Sequence, residues 1–165
     1  MATPAVLGSE QVLAELYRTH GRALFRLAYR LTASKEDAED VVHDVFVGLP
    51  RALERYQERG RLDAWLRRIT ARVALMKLRR RKRRAEVRLE SGMHQSGGGA
   101  AADVIAMQSA IESLSEALRH VLVLKEVEGY SHAEIGDMLG ISAISSRVRL
   151  ARAMRRLRKN LGDST

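Results

Sequence analysis

The chain has 165 residues, enough for one domain or two small ones, and carries a formal net charge of +9 with a pI near 10.6. That balance points to a polyanionic partner, nucleic acid first and an anionic membrane second. Cysteine is absent, which excludes disulfides, Cys-based zinc sites and thiol nucleophiles and fits a reducing compartment.

Hydrophobic residues make up 45% of the chain and aromatic ones only 4%, so the core is aliphatic. Two prolines and no sustained two-residue alternation predict an all-α fold. No apolar run approaches the roughly 18 residues of a membrane span. The first residues, MATPAVLGSEQ, lack the basic start of a signal peptide. The expectation is a cytoplasmic protein with no membrane insertion.

Ser9 can cap a first helix reaching about Leu31, with an apolar stripe of Leu13, Leu16, Tyr17, Leu24, Leu27, Ala28 and Leu31. Gly21 lies inside it and can soften it. Ser34 and Asp37 form an S-x-x-D capping box. The helix that follows buries Val41, Val42, Val45, Phe46 and Leu49, and Pro50 is expected to kink or end it. Its outer side carries Glu36, Asp37, Glu39, Asp40 and Asp44 against one Lys35. Acids in the first turn favour the helix dipole. Asp40 and Asp44 lie beyond that turn. With His43 they form either a docking surface for a basic protein or an ordinary solvated face.

Tyr56 to Arg61 is a loop built around Gly60. Asp63 is a candidate N-cap for a third helix with Leu62, Trp65, Leu66, Ile69, Val73 and Met76 as its stripe. Trp65, the only tryptophan, reads as a core anchor. This helix ends in Lys77 to Arg84, seven basic residues in eight. Such a block repels itself unless an anion lies beside it, and nucleic-acid phosphates would serve. A nuclear-localisation signal is the cheaper reading of the same run.

Composition changes abruptly at SGMHQSGGGAAAD, where Gly97 to Gly99 mark a flexible linker. The expected division is a first domain over 1–90, a linker over 91–103 and a second domain over 104–165. The second domain opens with a helix carrying Ile105, Met107, Ile111 and Leu114. A Ser115-capped helix follows with Leu118, Val121, Leu122 and Leu124, closed by Gly129.

Ser131 and Glu134 form a capping box that starts a helix at His132, with Ile135, Met138 and Leu139 on its apolar side. Gly140 can end it and Ser142 can cap the next, a gap that fits only a helix-turn-helix. In the last helix Ser146, Leu150, Ala153 and Leu157 share one face. Val148, Ala151, Arg152, Arg155 and Lys159 share the other, with Arg147 and Arg149 flanking. Seven of the thirteen residues from Arg147 to Lys159 are basic, and no acid lies between Asp137 and Asp163. A solvated helix usually mixes charge signs, so beside the plain reading of a solvated basic C-terminal helix stands the sharper one of a major-groove recognition helix. Val148 has a use there if it meets a thymine methyl.

Together these stretches resemble a bacterial sigma factor of the extracytoplasmic-function group, sigma-70 family. EDAEDVVHDVF is similar to that family's region 2.2, and RLDAWLRRITARVALMKLRRRKRR to regions 2.3 and 2.4. SLSEALRHVLVLKEVEGYSHAEIGDMLGIS is similar to region 4. The order, spacing and intervening linker make the likeness specific, and no region 1.1 or region 3 is expected. It implies a region 2-like three-helix domain and a region 4-like helix-turn-helix domain, with no cofactor and no catalysis. The implied partners are core RNA polymerase (its clamp and its flap), promoter DNA and an anti-sigma protein.

The resemblance also assigns residues. Asp37, Asp40, Val41, His43 and Asp44 fall on the polymerase-docking positions. Tyr56, Arg59 and Arg61 fall in the loop that captures an unstacked base of the minus-10 element. Arg67, Arg68, Arg72, Lys77, Arg80 and Arg81 would hold the DNA backbone. Ser145, Ser146, Arg147, Val148, Arg149, Arg152 and Arg155 would meet the minus-35 element. The chain departs from the usual GIS-x-G-T-V-K-S-R-L: Ile144 replaces glycine, Ser146 the buried valine and Val148 an exposed serine. Gly136 stands where alanine is common, and Ser115 where proline is. Either Ser146 or Ile144 must then face inward.

An autonomous helix-turn-helix regulator is the alternative. It explains residues 131–160 but leaves the acidic helix and the second basic block without a use. An enzyme has little to stand on, because His20, His43, His94, His120 and His132 show no metal-ligand spacing.

Overall fold

The computed structural model describes residues 9–57, 60–88 and 102–162. Every regular element among them is helical, and the chain divides into two units near residue 94. The expected linker, up to residue 101, lies outside the described residues, as does Arg59.

The first unit is three helices: α1 (Glu10–Thr32), α2 (Lys35–Glu54) and α3 (Leu62–Arg88). Ser9 caps α1, its Oγ accepting from the Val12 N–H at 3.4 Å. The α1–α2 corner is tight. Ala33 sits in the left-handed region at φ 53, where a non-glycine residue needs support. Thr32 supplies some of it, its Oγ1 donating to Ala28 O at 2.9 Å and accepting from the Ser34 N–H at 3.4 Å. Ser34 then caps α2 by accepting from the Asp37 N–H at 3.3 Å.

Pro50 does not end α2, which runs on to Glu54. Its φ is already helical, and the turns on either side are held by Leu49 and Leu53, both buried. The core adds Leu24, Leu27 and Leu31 from α1 and Val41, Val42 and Val45 from α2.

Helix α3 starts one residue before the expected cap. Gly60, at φ +73, turns the chain, and the first helical bond runs from Trp65 N–H to Arg61 O. Asp63 therefore sits inside the first turn. The buried row is Leu66, Thr70, Ala71, Ala74, Leu75 and Leu78, while Val73 is half-buried and Met76 is 49% exposed. Small residues at 70, 71 and 74 let α3 lie close to its neighbours, which a stripe of large apolar residues does not reveal. The Thr70 hydroxyl, fully buried, donates to Leu66 O at 2.8 Å.

The second unit contains α4 (Ala102–Glu112) and α5 (Glu116–Leu122), which continues as a π-helical turn over Val123–Val127. Then come α6 (His132–Leu139) and α7 (Ala143–Gly162). One core joins Ala110, Leu114, Leu118 and Leu122 to Ala153 and Leu157 of α7. Ile105 and Met107 are exposed, and only the last turn of α4 reaches that core.

Candidate nucleic-acid and protein interfaces

The helix-turn-helix is fixed by local bonds. Ser131 Oγ accepts from the Glu134 N–H at 3.1 Å, and Glu134 Oε2 accepts from the Ser131 N–H at 2.8 Å, a reciprocal capping box. Gly140, at φ +68, ends α6. The Ile141 N–H then donates back to Gly136 O at 3.0 Å. This fold-back is so close that a Cβ on Gly136 would stand 2.6 Å from the Ile141 carbonyl oxygen. Ser142 caps α7, its Oγ accepting from the Ser145 N–H at 3.0 Å and donating to Ser145 Oγ at 3.0 Å.

The orientation of α7 follows from two residues. Ser146 is fully buried and its Oγ lies 2.9 Å from His132 Nδ1, while Ile144 is 70% exposed. Ser146 thus keeps the inward position and makes a polar pair across the crossing of α6 and α7. This removes Ser146 from the expected base-reading set, since a buried hydroxyl bonded to α6 cannot reach a groove. The His132 ring is held below its ordinary pKa by burial first, then by Lys125 and Arg147, with Glu126 opposing. Arg147, Val148, Arg152 and Arg155 are exposed on the outer face, whereas Ser145 and Arg149 are half-buried at its edges.

In the first unit the acidic edge of α2 and the basic end of α3 lie side by side. Lys77 Nζ is 3.2 Å from Asp40 Oδ2, and Arg81 Nη1 pairs with Asp37 Oδ2. A groove runs between these helices, lined by Asp37, Asp44, Met76, Lys77, Arg80 and Arg81 among others. Asp40, His43 and Asp44 face solvent, and Val47 extends their row at 67% exposure. Val41 does not belong to that surface: it is fully buried in the three-helix core. Arg68, Arg72 and Arg80 are exposed and Arg67 is half-buried.

Where α2 gives way to α3, the rings of Tyr56 and Trp65 lie 4.7 Å apart at a 48° tilt. Both are half-buried, so Trp65 is an aromatic ledge at the edge of the core and not its centre, and Arg61 beside it is exposed. Sequence reasoning missed this ring pair, the ion pairs between α2 and α3, and the His132–Ser146 bond. Only the last had a signal, a serine standing where an apolar residue was due. Among the described residues no cluster is placed to hold a metal ion, and no helix is long and apolar enough to cross a membrane.

Residues 16–84 match the Sigma-70 region 2 family and residues 105–157 match Sigma-70, region 4. Over 158 residues the chain is 32% identical to the ECF RNA polymerase sigma factor SigM of Mycobacterium tuberculosis, covering 95% of this chain and 81% of that one. The chain belongs to the extracytoplasmic-function group of the sigma-70 family. It is also 35% identical over 164 residues to the ECF RNA polymerase sigma factor SigE of Mycolicibacterium smegmatis, covering 89% of this chain but spanning only 60% of that relative's length. In three dimensions it is similar to CnrH, solved in complex with the cytosolic domain of CnrY, with a TM-score of 0.61 and 25% identity over 98% of this chain and 96% of that one. Sigma factors are the promoter-specificity subunits of RNA polymerase and carry no catalysis of their own.

Proposed function

We propose that this sigma factor directs core RNA polymerase to promoters with two elements, one read by each unit. The observation that carries the reading is that one chain presents two separate cationic surfaces and one acidic one. The outer face of α7 has Arg147, Val148, Arg152 and Arg155 for the minus-35 element, with Ser145 and Arg149 at its edge. A bidentate arginine–guanine contact is worth about 1–3 kcal/mol of discrimination. The Tyr56–Trp65 ledge with Arg61 suits an unstacked minus-10 base, since stacking on an aromatic ring contributes about 1–3 kcal/mol per base, and Arg59 is assigned to the same base by the family resemblance alone. Arg67, Arg68, Arg72, Arg80 and the two paired cations Lys77 and Arg81 then hold phosphates.

The acidic row of Asp40, His43 and Asp44, with Asp37 at its rim, takes the clamp of the polymerase, and the second unit takes the flap. Asp40 and Lys77 share one ion pair in the free chain. For both to serve, that pair is exchanged for a clamp contact and a phosphate contact. An anti-sigma protein is a further partner implied by the family, and the similar CnrH was likewise solved with a second protein bound, the cytosolic domain of CnrY. The cytoplasm, where polymerase works, is the compartment.

The test is to mix the purified chain with bacterial core polymerase and a genomic DNA library and to map transcript 5′ ends. Discrete starts sharing two upstream elements are expected. Random starts, together with tight salt-sensitive binding of the chain alone to one duplex site, would favour the autonomous regulator.

A further inference from the structure

The reading face of α7 is not purely cationic. Ile144 is 70% exposed and Val148 is 44% exposed, and the two lie four residues apart, hence one above the other on the same face. Single exposed apolar residues are ordinary on a protein surface. Here the circumstances differ in three respects. Both side chains are β-branched, which helices tolerate less well than straight chains. They stand in the first turns of α7, the part of a recognition helix that meets base edges. Arg147 and Arg152 are exposed on either side of the pair. Ser146 fills the inward position and is bonded to His132, so neither Ile144 nor Val148 is needed by the core.

We infer that Ile144 and Val148 form a two-methyl reader for thymine in the minus-35 element, which makes the C5-methyl groups of two thymines part of the recognition sequence. The inference rests on the proposed role of α7. In the major groove the thymine methyl is the one apolar group a base edge offers, and the flanking arginines bring the apolar pair against a polyanion. The two side chains are about 6 Å apart along the helix axis, and base pairs stack at about 3.4 Å. The two methyl groups therefore belong to base pairs about two steps apart.

The test uses holoenzyme assembled from core polymerase and the full chain, on a promoter duplex taken from the mapped transcripts. Each minus-35 thymine is replaced in turn by deoxyuridine, which removes the methyl group and keeps every hydrogen-bonding atom. Wild-type holoenzyme is expected to lose about fourfold in affinity at each of two positions, the value of one buried methylene. With Ile144→Ser and Val148→Ser combined, those two replacements are expected to have no effect. Both changes are on the helix surface, and far-UV circular dichroism checks that α7 persists. If the wild type is indifferent to every deoxyuridine, or if the double variant is as sensitive as the wild type, the inference is overturned. Absence of any discrete promoter in the mapping would instead overturn the functional reading beneath it.

Discussion

The two units handle positive charge in opposite ways. Helix α7 carries its arginines with no acid between Asp137 and Asp163, so nothing within the helix itself answers them. The basic end of α3 is answered in part from within, by Asp37 and Asp40 on α2. A cation with no acidic counterpart is free to release counterions on meeting a phosphate. One already paired exchanges partners and gains less. The contrast separates a surface that waits for one partner from a surface where two partners meet.

The sharpest way to break the contrast is to reverse the acids of α2. Asp40→Arg with Asp44→Arg should abolish co-purification with core polymerase while circular dichroism stays unchanged, because both carboxylates are exposed at 64% and 60%. Wild-type recovery of polymerase by this variant would remove the docking role from α2. Next in size is Gly136→Ala in the second unit. A Cβ 2.6 Å from a backbone oxygen forces the turn to move, at about 1–3 kcal/mol of stability. Thermal unfolding should show a lower midpoint for the second unit and an unchanged first unit.

A smaller effect is expected of pH. Since burial, Lys125 and Arg147 lower the pKa of His132, the unfolded chain binds that proton more readily than the folded one. The stability contributed by neutral His132 is complete above its ordinary value of 6.5 and is lost as pH falls through the lower folded value. Unfolding compared at pH 7.5 and pH 5.5 should therefore show a larger acid loss for the wild type than for His132→Gln. The smallest effect is Asp37→Asn, which opens one partly exposed ion pair at about 0–1 kcal/mol. Its use is as a probe: the salt dependence of DNA binding should steepen, because Arg81 then acts as a free cation.

How far each unit could be read from sequence follows from how far apart its interacting residues lie. In the helix-turn-helix the deciding bonds span three to five residues, as between Ser131 and Glu134 or Gly136 and Ile141. Caps, turn and outer face are accordingly visible in the string of residues. The choice between Ser146 and Ile144 was not, because it depends on what α6 offers fourteen residues away, and His132 decided it. In the first unit the pairs Lys77–Asp40 and Arg81–Asp37 join residues 37 and 44 positions apart, beyond any local pattern. Val41 is the converse case: the period of α2 already placed it in the core with Val42 and Val45, and only the family resemblance set it on the docking edge, where the structure does not put it. Pro50, which does not end α2, and the expected stripe through Val73 and Met76 on α3 depart from the sequence reading for a different reason. There tertiary packing overrode a local preference.

The contact between Gly136 and the Ile141 carbonyl bears on how portable the reading helix is. A transplant that replaced only the outward residues of α7 would leave the turn untouched and so keep the aim of the helix. A transplant that brought in alanine at 136 without the matching turn would tilt α7 before any base was met. Retargeting this chain to a new promoter is therefore a matter of moving outer side chains alone, or of moving α6, the turn and α7 as one piece.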